Sequence, residues 1–536
     1  MKTRILLKKM IFILFLIFSS LLMSVSLIKC KQAPNVVIYH APEGEIPSTD
    51  FKIQVDGNSV FVYQARVSAK PVDQVYTGYQ RPKDQTEIAS FAYFDISGQH
   101  SIEVKSSIAV KSVDIRPKSY GIIPVVDGNV IKFNLSRPCK IVVEVNGQHN
   151  ALHLFANEID KNTPDPQAQN MRYFGPGNYQ VGTIKMKDNE TIYIAGGAIV
   201  HGVIEARDVS NIKILGRGIL DASAISRSNM VNFSGCSNVL MDGIILRDSP
   251  AWTIASRGCK DEKFSDLKII GQWRYNTDGI DVCNSQKVII SDCFVRSFDD
   301  SIVLKGLGDR RNPNVKDSAA MKRFGYRRNQ NVKDSIAMKK GSEFRSAPNL
   351  KDENVENIEV SNCVIWNDWG RPLEIGVESE VDSIGNIVFK NCDVIHYVHV
   401  AMDIQLGGKA VVHDVKYENI RVEEPIIYNG QISDYRMNLV HNYEPTELGK
   451  LIVMTIRKTV DNISEERGRV NNISFRNITY DGIDIFPQSV FEGFDGKHMV
   501  ENVTFENIVI NGRKINNIKQ GNMLLNQYTN NIVFKL

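Results

Sequence analysis

Asp278, Asp281, Asp299 and Asp300 fall within a single stretch from Asn276 to Gly306, NTDGIDVCNSQKVIISDCFVRSFDDSIVLKG. Asp278 and Asp300 stand 22 positions apart, and the interval between them reads as strand, with Val288-Ile289-Ile290 and Cys293-Phe294-Val295. Such a gap is about one coil of a solenoid built from stacked repeats of roughly 20–30 residues. One circuit would put Asp278 and Asp300 on neighbouring rungs, roughly 5 Å apart in backbone. Asp299 joins them if a turn or bulge re-aims it. Three acids in one cleft are costly unless they share protons or perform acid–base chemistry. The plainer alternative is a run of solvated aspartates at turns.

The elements that must position these acids can be sought along the whole chain. With 536 residues it exceeds one ordinary compact domain, although repeat folds pass that ceiling. Strand formers between turn-like Gly and Asn make an all-β class the natural expectation. A net charge of +3 gives no bulk case for nucleic acid as a partner. A monomer is expected.

Residues 1–30 read as an export signal, with Lys2, Arg4, Lys8 and Lys9 ahead of the apolar run Met10 to Ile28. That run could also span a bilayer as an uncleaved anchor. Cys30 is a candidate for lipid attachment and would be the one link of the mature body to a membrane, although Lys29 is an awkward residue just before it. The body is expected to be secreted, periplasmic or lipid-anchored. The remaining cysteines are too sparse for a disulfide framework. Cys293, Cys363 and Cys392 recur at one place in SDCFV, SNCVI and KNCDV, which suggests a buried ladder of small side chains. Neither CxxC nor clustered His occurs, so no metal or other cofactor is expected.

Residues 33–165 read as a β-sandwich of short alternating strands separated by turns such as Asp56-Gly57-Asn58 and Asp127-Gly128-Asn129. Its expected task is to pack against or cap the following solenoid, whose end must be covered, with carbohydrate contact as the alternative. Residues 170–536 then carry the repeat, in versions such as Asn211-IKILGRGIL, Asn238-VLMDGIILR, Asn357-IEVSNCVIW, Asn472-ISFRNITY and Asn502-VTFENIVI. Asn472, Asn477 and Asn502 also match a glycosylation acceptor, but Asn at stacked turns accounts for them. An insertion at about 308–350 contains a basic duplication, RRNPNVKDSAAMK and RRNQNVKDSIAMK. It reads as a tolerated surface insertion, or as a lid over the cleft.

The acidic stretch resembles glycoside hydrolase family 28, the polygalacturonase family, through Asn276-Thr277-Asp278-Gly279 and Asp299-Asp300, with Ser249-Pro250 one turn earlier. The resemblance extends over roughly residues 170–515. It implies a right-handed parallel β-helix and a configuration-inverting hydrolase of a polysaccharide or oligosaccharide. It further implies Asp299 as general acid, with Asp278 and Asp300 activating water. Elementary chemistry agrees on the class: one protonated carboxyl serves the leaving oxygen and one ionised partner serves the water, and crowding supplies both states.

Two departures bear on the substrate. Where the family has Gly-His-Gly before a Leu-Ser-Ile-Gly-like strand, this chain has Gly370-Arg371-Pro372-Leu373-Glu374-Ile375-Gly376. Where polygalacturonases carry Arg-Ile-Lys for the uronate carboxylate, it has Asp403-Ile404-Gln405. An acid and an amide there would repel a uronate and suit neutral hydroxyls better. The candidate substrate contacts are Asn276, Asp281, Lys305, Arg371, Glu374, Asp403 and Gln405, with Trp273 and Trp369 as sugar platforms or core packing. A sandwich ahead of a β-helix also resembles the family 49 dextranases in architecture. A polysaccharide lyase and a non-catalytic, carbohydrate-binding surface solenoid, its acids structural or calcium-bound, are the competing readings.

Overall fold

The computed structural model describes residues 35–69, 82–160, 163–308, 353–426, 449–459, 464–482 and 486–535. The leader, Cys30 and the basic duplication lie outside the described residues.

Two sheets open the chain. A six-stranded sheet includes Thr86–Ile96, Cys139–Val145 and Leu152–Glu158, and a five-stranded sheet includes Phe51–Val55, His100–Ser106 and Val130–Leu135. Alternation explains their pairing: in Phe51–Val55 every second residue is buried, which gives each strand one apolar face. Phe51, Ile53, Val55, Phe94, Ile102 and Ile141 fill the space between the sheets.

From Met171–Phe174 to Thr529–Lys535 the chain forms one 30-stranded array, the stacked coils that the repeats imply, with the right-handed parallel β-helix architecture that the resemblance implies. The register shows why the repeats stack. Ile212, Val239, Glu262, Val288, Ile358, Ile387, Val415, Ile473, Val503 and Ile532 are successive partners in one column. Glu262 is the acid in that column; burial pushes its carboxyl up to about 8, and Ser256 Oγ donates to it at 2.5 Å. Phe389, Tyr417, Phe475, Phe505 and Phe534 stack at 4.8–5.2 Å. Cys293, Cys363 and Cys392 are fully buried on successive coils, as the recurring cysteine suggested, and remain free thiols.

Asparagine makes the corners. Asn211, Asn238, Asn357, Asn386, Asn472 and Asn502 all have left-handed backbone, which Asn tolerates better than most residues. Their amides bond from coil to coil, as in Asn238 Nδ2 to Asn211 Oδ1 at 2.7 Å. The sequon residue Asn477 donates to Asn419 Oδ1 in a second such ladder at 2.8 Å, and Asn502 donates to Asn471 Oδ1 on the neighbouring coil at 2.7 Å. Lys287 occupies one such corner at φ 55°, between Asp261 and Asn357. Lys287→Asn is therefore expected to stabilise the protein by about 1 kcal/mol by relieving left-handed strain, read from the urea midpoint at unchanged slope.

The sandwich does not close an end of the helix. Its Tyr63, Phe91, Tyr93 and Phe155 pack on Ile199, Ile219, Ile245, Ile270, Phe294, Val364 and Ile395, which belong to successive coils. It therefore lies along the flank. Those outward side chains are apolar and form a stripe that demands a cover. Buried charges fix the placement: Arg116 contacts Glu144 at 2.8 Å, Glu423 at 2.5 Å and Glu424 at 2.9 Å, and His396 Nε2 lies 2.5 Å from Glu144.

Candidate active site

Neighbouring coils carry the acids. Thr253 N donates to Asp278 O at 2.9 Å, Gly279 N to Asp300 O at 2.8 Å, and Ser301 N to Arg371 O at 2.8 Å. One circuit of the helix thus sets Asp278, Asp300 and Arg371 on consecutive rungs. Glycine is needed at both contacts. A Cβ on Gly279 would stand 2.3 Å from Ser301 O, and one on Gly370 would stand 2.4 Å from Asp299 C and Asp300 N. Gly370→Ala is expected to cost about 1–3 kcal/mol through this overpacking against backbone and to displace the Asp299–Asp300 peptide, measured by thermal unfolding.

The three acids are not equally open. Asp299 and Asp300 are partly exposed, whereas Asp278 is 2% exposed. Asp278 sits in a lower layer with Asp281 and Lys305, whose Nζ donates to Asp278 Oδ2 at 3.1 Å and Asp281 Oδ1 at 2.6 Å. Burial, reinforced by Asp281, pushes the Asp278 carboxyl well above the usual range, against the pull of Lys305. Burial likewise raises Asp281 to about 6. Burial opposes the Lys305 charge, but the two aspartates outweigh it and raise its pKa.

A second cluster lies on the other side of Asp300. Glu374 and Asp403 are cross-strand partners, with 2% and 0% exposure. Arg371 Nε lies 2.6 Å from Asp403 Oδ2 and 3.8 Å from Glu374 Oε1, and Arg371 Nη1 is 3.9 Å from Asp300 Oδ1. Gln405 Nε2 donates to Asp403 Oδ2 at 2.6 Å. Burial, then the charge of Asp300, raises Glu374 well above the ordinary range, while Arg371 opposes the rise.

Several expected sugar contacts have a different position. Asp281, Lys305 and Asp403 are buried on the outward face of their strands, opposite Ile280, Leu304 and Ile404 in the core, and hold one another or Arg371, because removal from water enforces pairing of charge. Trp273 is 5% exposed, with Nε1 bonded to Asp248 at 3.0 Å and Arg274 over its ring; it packs rather than presents a platform. Trp369 is partly exposed and stacks on Phe298 at 5.4 Å. Asn276 is partly exposed, with Oδ1 3.5 Å from Arg227 Nη2. Gln405 is not in cation-free surroundings, since Arg457 Nη2 donates to its Oε1 at 2.6 Å. Trp252, one coil before Asp278 and close to the acids in sequence, is partly exposed, with its ring 4.2 Å from Lys305 Nζ. Arg457 was missed, and neither a repeat nor a motif signals it. Among the described residues no group of three or more metal-ligating side chains is gathered.

Fold and site together define a right-handed parallel β-helix with a carboxyl-rich outer face. Residues 182–310, which include both acidic motifs, match the family described as Glycosyl hydrolases family 28. Over that segment the resemblance read from the acids is borne out. A curated Arabidopsis thaliana protein described as "Probable polygalacturonase" is 36% identical over 80 residues, 15% of this chain and 18% of that protein. The matched stretch therefore spans about a fifth of that relative. Dex49A from Penicillium minioluteum is similar in structure, with a TM-score of 0.61 at 15% identity over 94% of this chain and 97% of that one.

Proposed function

We propose that this protein is an exported glycoside hydrolase that cleaves a polysaccharide or a fragment of one with inversion. The observation that supports it is the convergence of Asp278, Asp299 and Asp300 on consecutive coils, held by the Gly279–Asp300 bond. In this reading Asp299 protonates the leaving oxygen. Asp300 activates the water, and Asp278 beneath it adjusts the charge of the site. Export rests on the basic and apolar leader alone.

The substrate proposed carries neutral sugars at the point of cleavage. Asp278, Asp281, Asp299, Asp300, Glu374 and Asp403 outnumber Lys305, Arg371 and Arg457, and those cations already serve internal partners. Among the described residues, the cations beside these acids are thus already engaged, which disfavours a uronate carboxylate.

The test is incubation with neutral glucans, xylans, galactans and polygalacturonate, followed by reducing-end assay and NMR of the first anomer released. Cleavage of a neutral polymer with inverted product is expected. Release of unsaturated product absorbing in the ultraviolet would replace hydrolysis by elimination, and preference for polygalacturonate would overturn the neutral-sugar assignment.

A further inference from the structure

The carboxyl groups of Asp300 and Glu374 lie on adjacent coils, since Ile302 N donates to Pro372 O at 3.1 Å and Val303 is the cross-strand partner of Glu374. The Arg371 side chain is drawn most closely to Asp403, at 2.6 Å, and stands 3.8–3.9 Å from Glu374 and Asp300. Its single charge therefore cannot fully neutralise all three acids. Asp300 has a donor of its own in Arg371 N, 3.1 Å from Oδ1. Glu374 has none for Oε2, which is buried without a hydrogen bond, and its carboxyl shares the Arg371 guanidinium with that of Asp300, at 3.8 and 3.9 Å. Two acceptors side by side in a water-poor place are stable only when a proton lies between them.

We propose that Glu374 is a positioning residue that keeps its proton and donates it in a hydrogen bond to Asp300, so that Asp300 stays ionised and aimed into the cleft. The groups that set this state are Asp300, Arg371 and Asp403, with the Tyr417 hydroxyl on the inner side of the coil. Burial and the adjacent Asp300 charge both favour the protonated form. Nothing in family 28 likeness requires an acid here, where the family pattern has a small polar residue. The kinetic part of this inference rests on the hydrolase reading; the proton does not.

Two measurements decide it. In the first, urea unfolding of the full chain and of Glu374→Gln is compared from pH 5 to pH 9. A carboxyl that holds its proton only when folded loses stability as pH rises through the interval above its unfolded pKa. The folding constant of the wild type, relative to Glu374→Gln, should fall about tenfold per pH unit across that interval. A ratio independent of pH would overturn the proposal. In the second, kcat and KM are followed against pH on whichever polysaccharide of the panel the wild type hydrolyses. Glu374→Gln should stay within about tenfold of wild type and lose the alkaline decline, whereas Glu374→Ala should lose about 100-fold in kcat at similar KM. Equal loss in both variants would overturn the positioning role. Absence of hydrolysis by the wild type would remove the hydrolase reading instead, and the unfolding ratio would still decide where the proton is.

Discussion

Asp299→Asn is expected to lower kcat by about 10²–10⁴-fold, the usual worth of a general acid, with KM within a few-fold of wild type. The geometry makes the substitution a clean one. The Asp299 backbone is fixed independently of its carboxyl, because its carbonyl accepts from Ser297 Oγ and Asn367 Nδ2, each at 2.7 Å. Asn has the same shape and cannot give up a proton, so only the chemistry changes. Steady-state kinetics beside a urea unfolding curve would separate the two effects. Full activity at unchanged stability would remove Asp299 from the acid role.

Lys305→Met should produce the largest loss of stability, about 3–5 kcal/mol at neutral pH, as for other buried pairs stripped of one partner. The methionine fills the same channel beside Trp252, so lost packing contributes little. What remains is Asp278 and Asp281 with no cation between them. Their pKa values are already raised in the wild type and would rise further. Acids with raised folded pKa values bind protons more tightly in the folded state, so folding is favoured at low pH and weakened as pH rises through those values. The deficit of the variant should accordingly be small near pH 4 and complete above the folded pKa values, read from urea midpoints across that range. A deficit independent of pH would show that Lys305 acts through packing rather than charge.

Much of this arrangement could be read from the chain because it depends on local rules. The alternating strands and left-handed Asn corners repeat at every coil, and each repeat states the same register independently. The pairing of Asp278 with Asp300 followed from that period alone. The depth of Asp278 did not, since it depends on Lys305, whose partnership with Asp281 is set by the direction of three side chains rather than by spacing. Arg457 reaches Gln405 across 52 positions, and Arg116 reaches Glu423 across 307; neither separation follows from a repeat. Trp273 stays open between sugar platform and packing in the sequence for a related reason: closeness to the acids says nothing about which face of the coil an indole occupies. The flank position of the sandwich was equally hidden. Ile199, Ile219 and Ile245 look like ordinary strand residues until the coils are closed, and only then do they form an outward line.

That line of isoleucines makes the two parts of the chain mutually dependent. A β-helix produced without residues 35–160 would expose Ile199, Ile219, Ile245, Ile270 and Phe294 to solvent, together with Glu423 deprived of Arg116. Such a surface invites self-association of the truncated molecule. Exchange of catalytic loops between relatives should therefore retain each helix with its own sandwich, and libraries built on the isolated helix would select first for solubility.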